Sequence, residues 1–116
     1  MPTDEPFQER SDEIIISELR GIKLVLESYK KENNHYLIQT SQIKLYDLQS
    51  EIAGLVGYGK ERLQGTGGKY FLYQSNEDGS RYVIFATIPK DSSKVITSEP
   101  VGFEMPRGYN YYIASK

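Results

Sequence analysis

Ile15, Leu19, Ile22, Leu26 and Tyr29 recur at steps of four, three, four and three, the pattern of one buried stripe on an α-helix. The spacing predicts a helix from about Asp12 to Asn33 and assigns these five residues to its contact with the rest of the fold. Asp12 and Glu13 near its start, and Lys30 and Lys31 near its end, suit the partial charges of helix termini. Asn33-Asn34 supplies the stop, because asparagine tolerates the left-handed backbone at a helix end. A second run, Leu45, Leu48, Ile52 and Leu55, keeps helical spacing behind Ser41 until Gly54, Gly57 and Gly59 interrupt it. With Ser41 as its cap, that run predicts a short second helix.

Beyond Gly65-Thr66-Gly67-Gly68, a loop by composition, the period changes to two. Residues 69–74 and 81–88 are rich in β-branched and aromatic side chains, and Asn76-Glu77-Asp78-Gly79 between them carries turn chemistry, so the pair predicts a hairpin. Lys94–Thr97 and Tyr109–Ala114 are two weaker strand candidates, separated by Pro100 and Pro106. The order of one long N-terminal amphipathic helix, a short helical connection and three or four antiparallel strands is that of an α+β fold, with the helix laid on one sheet face. Residues 1–9 show no periodicity and read as a flexible terminus or junction, leaving 10–116 as a single globular domain.

Composition narrows the chemistry. Hydrophobic residues make up 38% and charged residues 26%, enough apolar material for a core and too much for wholesale disorder. The absence of cysteine removes disulfides, thiol nucleophiles and thiolate zinc sites, and the single histidine, His35, leaves only one candidate for a triad base. No stretch approaches the roughly 20 apolar residues that span a bilayer. A formal charge of −2 offers no general basic field for nucleic acid, so direct nucleic-acid binding is not expected.

Individual motifs fail on spacing. The phosphate-loop motif needs a glycine five residues before Gly68-Lys69 and a hydroxyl after the lysine, where Leu63 and Tyr70 stand. Gly57-Tyr58-Gly59 has Arg62 where a dinucleotide fold needs its third glycine. His35, just past the helix, reads as a solvent-facing residue. Glu77-Asp78 and Asp91 lie in loops without a pocket pattern and without calcium-loop spacing. No catalytic, cofactor or metal site is therefore expected. Arg10, Arg20 and Lys23 read as a solvated face because Glu18 and Glu27 interleave with them. The ten tyrosines suit half-buried sheet positions, with Tyr109, Tyr111 and Tyr112 as a possible contact surface for stacked ligands.

Two segments also resemble a known family. Arg10-Ser11-Asp12, Ser17 to Tyr29 and Asn33-Asn34-His35-Tyr36, followed by Tyr70-Phe71-Leu72-Tyr73 and Glu77 to Ala86, are similar in order and spacing to the helix and hairpin of type IV pilins and type II secretion pseudopilins. The match covers residues 10–36 and 69–88. Leu37 stands where many members carry proline, and the paired cysteines of many pilins are absent. The resemblance implies a non-enzymatic structural subunit that assembles through its helix with like subunits in an extracytoplasmic filament. It also implies a membrane anchor, an apolar N-terminal helix absent from this sequence, with residues 1–9 in its place. It leaves the isolated domain a soluble monomer, with the loops at 57–68 and 89–108 facing neighbours or solvent. The competing expectation is a soluble extracytoplasmic ligand-binding or sensory module that uses a Tyr-rich sheet surface.

Overall fold

In the computed structural model, which describes residues 11–115, helix α1 runs from Asp12 to Asn33. Residues 1–9 and Arg10 lie outside the described residues. Ser11 caps α1, its side-chain oxygen accepting from the backbone N–H of Ile14 at 3.3 Å, and so satisfies one donor of the open first turn. At the other end Asn34 takes the left-handed conformation (φ 70°) and its N–H donates to the Lys30 carbonyl at 2.7 Å, the stop that Asn33-Asn34 predicts.

The rest is a four-stranded antiparallel sheet in the order β1 (Ile43–Lys44), β2 (Leu72–Ser75), β3 (Tyr82–Ala86) and β4 (Tyr111–Ala114). The predicted hairpin is β2–β3, with Leu72 opposite Phe85 and Ser75 opposite Tyr82. Its connection is fixed by Asn76, whose side-chain oxygen accepts from Arg81 N–H, and by Asp78, which accepts from Ser80 N–H, both at 3.0 Å. Gly79 needs its φ of 72° there, and a Cβ on it would lie 2.7 Å from the Tyr36 carbonyl. The Gly79 carbonyl also accepts from Tyr36 N–H at 2.8 Å, which docks the turn against the chain leaving α1.

Two expectations need correction. Ser41 caps no helix; Ile43 and Lys44 instead pair with Tyr73 and Leu72 at the sheet edge, and Leu45–Leu48 and Ala53–Leu55 form separate 3-10 turns. The Leu45, Leu48, Ile52 and Leu55 side chains are buried all the same. A 3-10 turn also places residues three apart on one side, so the spacing fits both structures, and a segment this short has little helical stability to set against strand pairing. Lys94–Thr97 is not a strand either. Ile96 makes a backbone bond to Asn110 at 2.8 Å, and the place at the other sheet edge is taken by β1.

The core has two parts divided by β3, which is buried along its whole length. Tyr82, Ile84 and Ala86 face a large cluster that includes Ile15, Leu19, Ile22 and Leu26 of α1, with half-buried Tyr29 packed at its margin. All five predicted helix contacts therefore join the core, and Ile16 is buried in addition. Val83 and Phe85 point the other way, into a smaller cluster closed by Phe103 and Met105. The loop 89–108 thus serves in part as a cover for the second sheet face. Gly65, in the predicted loop at 65–68, is buried, and the next residue joins the sheet end: Thr66 N–H donates to the Thr87 carbonyl at 3.0 Å, and Thr87 Oγ1 donates to the Thr66 carbonyl at 2.9 Å.

Candidate functional site on the exposed sides of the long helix

Helix α1 has one face in the core, one flank covered and two sides open. The covered flank carries Val25, against which the 53–55 turn presses so closely that a Cβ on Gly54 would lie 2.6 Å from Val25 Cγ1. Further along it, Arg62 Nε donates to Glu18 at 3.3 Å, and this hydrogen bond and the carboxylate charge raise the guanidinium pKa. With 3.6 residues per turn, the side opposite the core is a ridge of Ile14, Ser17, Gly21 and Ser28, uncharged until Glu32 at its C-terminal end. Ile14 is 52% exposed, and nothing lies within 4 Å of the position a Cβ would take on Gly21.

The second open side, between ridge and core, is a flank with two adjoining grooves. One, of about 590 Å³, is lined by Arg20, Lys23, Leu24, Glu27, Lys30 and Tyr36. The other, of about 410 Å³, is lined by Glu13, Ile16, Arg20, Lys94 and Tyr111. Leu24 stands at the border of ridge and flank and is 71% exposed. Glu27, the acid inside the larger groove, accepts the Tyr36 hydroxyl at 2.7 Å. Burial, followed by that hydrogen bond and the nearby carboxylate charge, pushes the Tyr36 hydroxyl up to about 12. Asp12, at the start of the helix, accepts a short hydrogen bond from the Ser92 hydroxyl, and chiefly through it the carboxyl is held below its usual value.

The acids that interleave with the basic residues in sequence therefore offset this flank only in part. Glu18 is turned to the covered side, Glu27 stays in the groove beside Tyr36, and Arg20 and Lys23 make no ion pair among the described residues. This is what the linear pattern hid: Glu18 stands among the basic residues in sequence, and the helical turn carries it to another side.

The tyrosines are distributed through the structure rather than gathered on a surface. Tyr36, Tyr73 and Tyr82 form a buried group, with ring centroids 4.6 Å apart for Tyr36–Tyr82 and 5.9 Å for Tyr73–Tyr82. Tyr73 donates to the Leu37 carbonyl at 2.7 Å; the Tyr82 hydroxyl is buried and has no hydrogen-bond partner. Burial raises both hydroxyl pKa values. Tyr109 donates to the Tyr70 carbonyl at 2.7 Å, and Tyr112 lies edge-on to Phe85 in the smaller cluster. Tyr111 packs on the α1 side and lines the smaller groove. The three residues of the predicted contact surface thus divide between opposite sheet faces. His35 is half-buried rather than solvent-facing, its Nδ1–H donating to the Tyr36 carbonyl at 2.7 Å. Among the described residues, no group of three or more histidine, aspartate or glutamate side chains is disposed to hold a metal, and no helix is long and apolar enough to cross a membrane. Compared with protein-family models, curated proteins and solved structures, the chain matches none of them.

Proposed function

We propose that this chain is the globular domain of a pilin-like or pseudopilin-like subunit: a non-enzymatic, extracytoplasmic structural protein that assembles through α1 with like subunits. The observation that carries the reading is the outward ridge of α1. Gly21 sits in the middle of a 22-residue helix, where glycine costs about 1 kcal/mol relative to alanine. Its own fold places nothing near it, so packing within the domain does not account for a residue this small. Flanked by Ser17 and Ser28 on a side that stays uncharged up to Glu32, it leaves a smooth strip on which a second helix can approach closely. The helix-on-sheet architecture and the sequence resemblance in residues 10–36 and 69–88 support the same reading. The competing module with a Tyr-rich binding surface is less well supported, because Tyr73 and Tyr82 are wholly buried and both faces of β3 are covered.

The chain has no cysteine, so introduced thiols report contacts without background. Ser17→Cys and Ser28→Cys, produced in the source cell, are expected to give oxidation-dependent ladders of cross-linked chains in the membrane or sheared-surface fraction. Cysteines at Glu61 and Glu77, away from the ridge, are expected to give none. Ladders absent from the ridge positions, or equally strong at the control positions, would reject assembly through this face.

A further inference from the structure

We infer that the basic flank of α1 is a docking surface for an anionic lipid bilayer. The chain carries a net charge of −2, yet Arg20, Lys23 and Lys30 line one groove and Lys94 joins Arg20 in the next. The two grooves together set these four cations against two acids, Glu13 and Glu27, the latter keeping its charge while it accepts the Tyr36 hydroxyl. The flank is thus locally cationic although the protein is acidic.

Spacing and composition select the occupant. Arg20 and Lys30 are ten residues apart, about 15 Å along the helix axis at 1.5 Å per residue, too far for one phosphate to reach both. The site therefore suits a row of anionic groups rather than a single small anion. Leu24 stands among these cations with 71% of its surface exposed, and the aliphatic stems of lysine and arginine extend that apolar strip. An acyl–headgroup boundary uses both properties at once: charge attracts the helix to the surface, and leucine enters it. A single-stranded nucleic acid would use exposed aromatic platforms for its bases, whereas of the two rings on this flank Tyr36 is only 3% exposed and Tyr111 is half-buried. The inference stands apart from the filament reading, since the flank and the ridge are different sides of the helix that share only Leu24 at their border.

The test is co-sedimentation of the full chain with vesicles of phosphatidylcholine alone and of equal parts phosphatidylcholine and phosphatidylglycerol. Binding to the mixed vesicles and not to the neutral ones is expected, weakening as salt is raised. With roughly fivefold in partition per cation near an anionic surface, Lys23→Gln with Lys30→Gln is expected to bind about 25-fold more weakly. Leu24→Ser is expected to weaken binding at every salt concentration. Lys44→Gln with Lys69→Gln removes the same charge elsewhere, from lysines lying over Tyr70 and Tyr109, and is expected to leave binding nearly unchanged. Leu24, Lys30, Lys44 and Lys69 are exposed and Lys23 is half-buried, and circular dichroism confirms folding of each variant. Equal binding to neutral vesicles, no binding to either kind, or equal loss in the control pair would overturn the inference. So would retention on heparin or single-stranded DNA that depends on Lys23 and Lys30 without vesicle binding, which would assign the flank to a polyanionic chain.

Discussion

On one side of β3 a capped helix closes the core; on the other an irregular segment does. Both covers bury alternate residues of the same strand, but they differ in depth. The α1 side brings Ile15, Leu19, Ile22 and Leu26 into a cluster with Tyr36, Tyr73, Leu45, Leu55 and Leu63, whereas the second side rests on Phe103 with half-buried Met105, Tyr109 and Tyr112. The difference teaches that burial of a strand position does not say how much of the fold depends on it. A side chain interlocked with a helix loses many partners when cut back, while one beneath a segment held by Phe103 leaves a neighbour able to settle inward.

The most direct way to break this comparison is to truncate one residue on each side. Leu19→Ala is expected to cost about 4–5 kcal/mol and Phe103→Ala about 3 kcal/mol, read as a shift in urea midpoint at constant denaturant dependence. Equal losses would mean that the segment near 99–109 is as integral as the helix.

A finer probe stays inside the deeper cluster. Tyr73→Phe removes the donor to the Leu37 carbonyl and is expected to cost about 1 kcal/mol. Tyr82→Phe removes a buried hydroxyl without a hydrogen-bond partner and is expected to be neutral or to stabilise by up to about 1 kcal/mol. The same denaturation series measures both, and a matching loss in the two variants would show that the Tyr82 hydroxyl is paired in solution.

The smallest effect concerns the tie between the two regions, where Ser92 of the connection after β3 bonds Asp12 at the start of α1. The folded-state pKa of Asp12 lies below its ordinary value. Its contribution to stability is therefore present above that ordinary value and is lost as pH falls through the lowered one. Thermal unfolding followed from neutral to acidic pH is expected to show a shallower acid decline in Ser92→Ala than in the natural sequence. An identical slope would mean that this contact does not hold in solution.

The two regions were also unequally legible. Local preference and long-range packing agree for α1: a capping Ser11, an apolar stripe, acids then bases at its ends, and Asn34 as the stop. They agree again for the β2–β3 hairpin, where Asn76, Asp78 and Gly79 fix the turn by bonds within six residues. They disagree around residues 43–55, where apolar spacing alone fits an α-helix and the free edge of β2 takes Ile43–Lys44 as a strand. The second cover was hidden because Phe103 and Met105 lie in a segment with no period to read, and the unbroken apolar run of β3 was its only trace.

The candidate site divides in the same way. The sequence determined which residues of α1 enter the core, because a 3.6-residue repeat defines the buried stripe without reference to a partner. It also determined the α+β class and the absence of thiol chemistry. Only the tertiary structure decided which side of α1 stays open, by laying the 53–63 segment over Val25 and Glu18. It likewise decided the charge balance of the exposed flank, by turning Glu18 away to Arg62 and bringing Lys94 beside Arg20. Those choices rest on residues distant in sequence, and charge at a surface is set by which neighbours the fold brings within a few ångströms rather than by order along the chain.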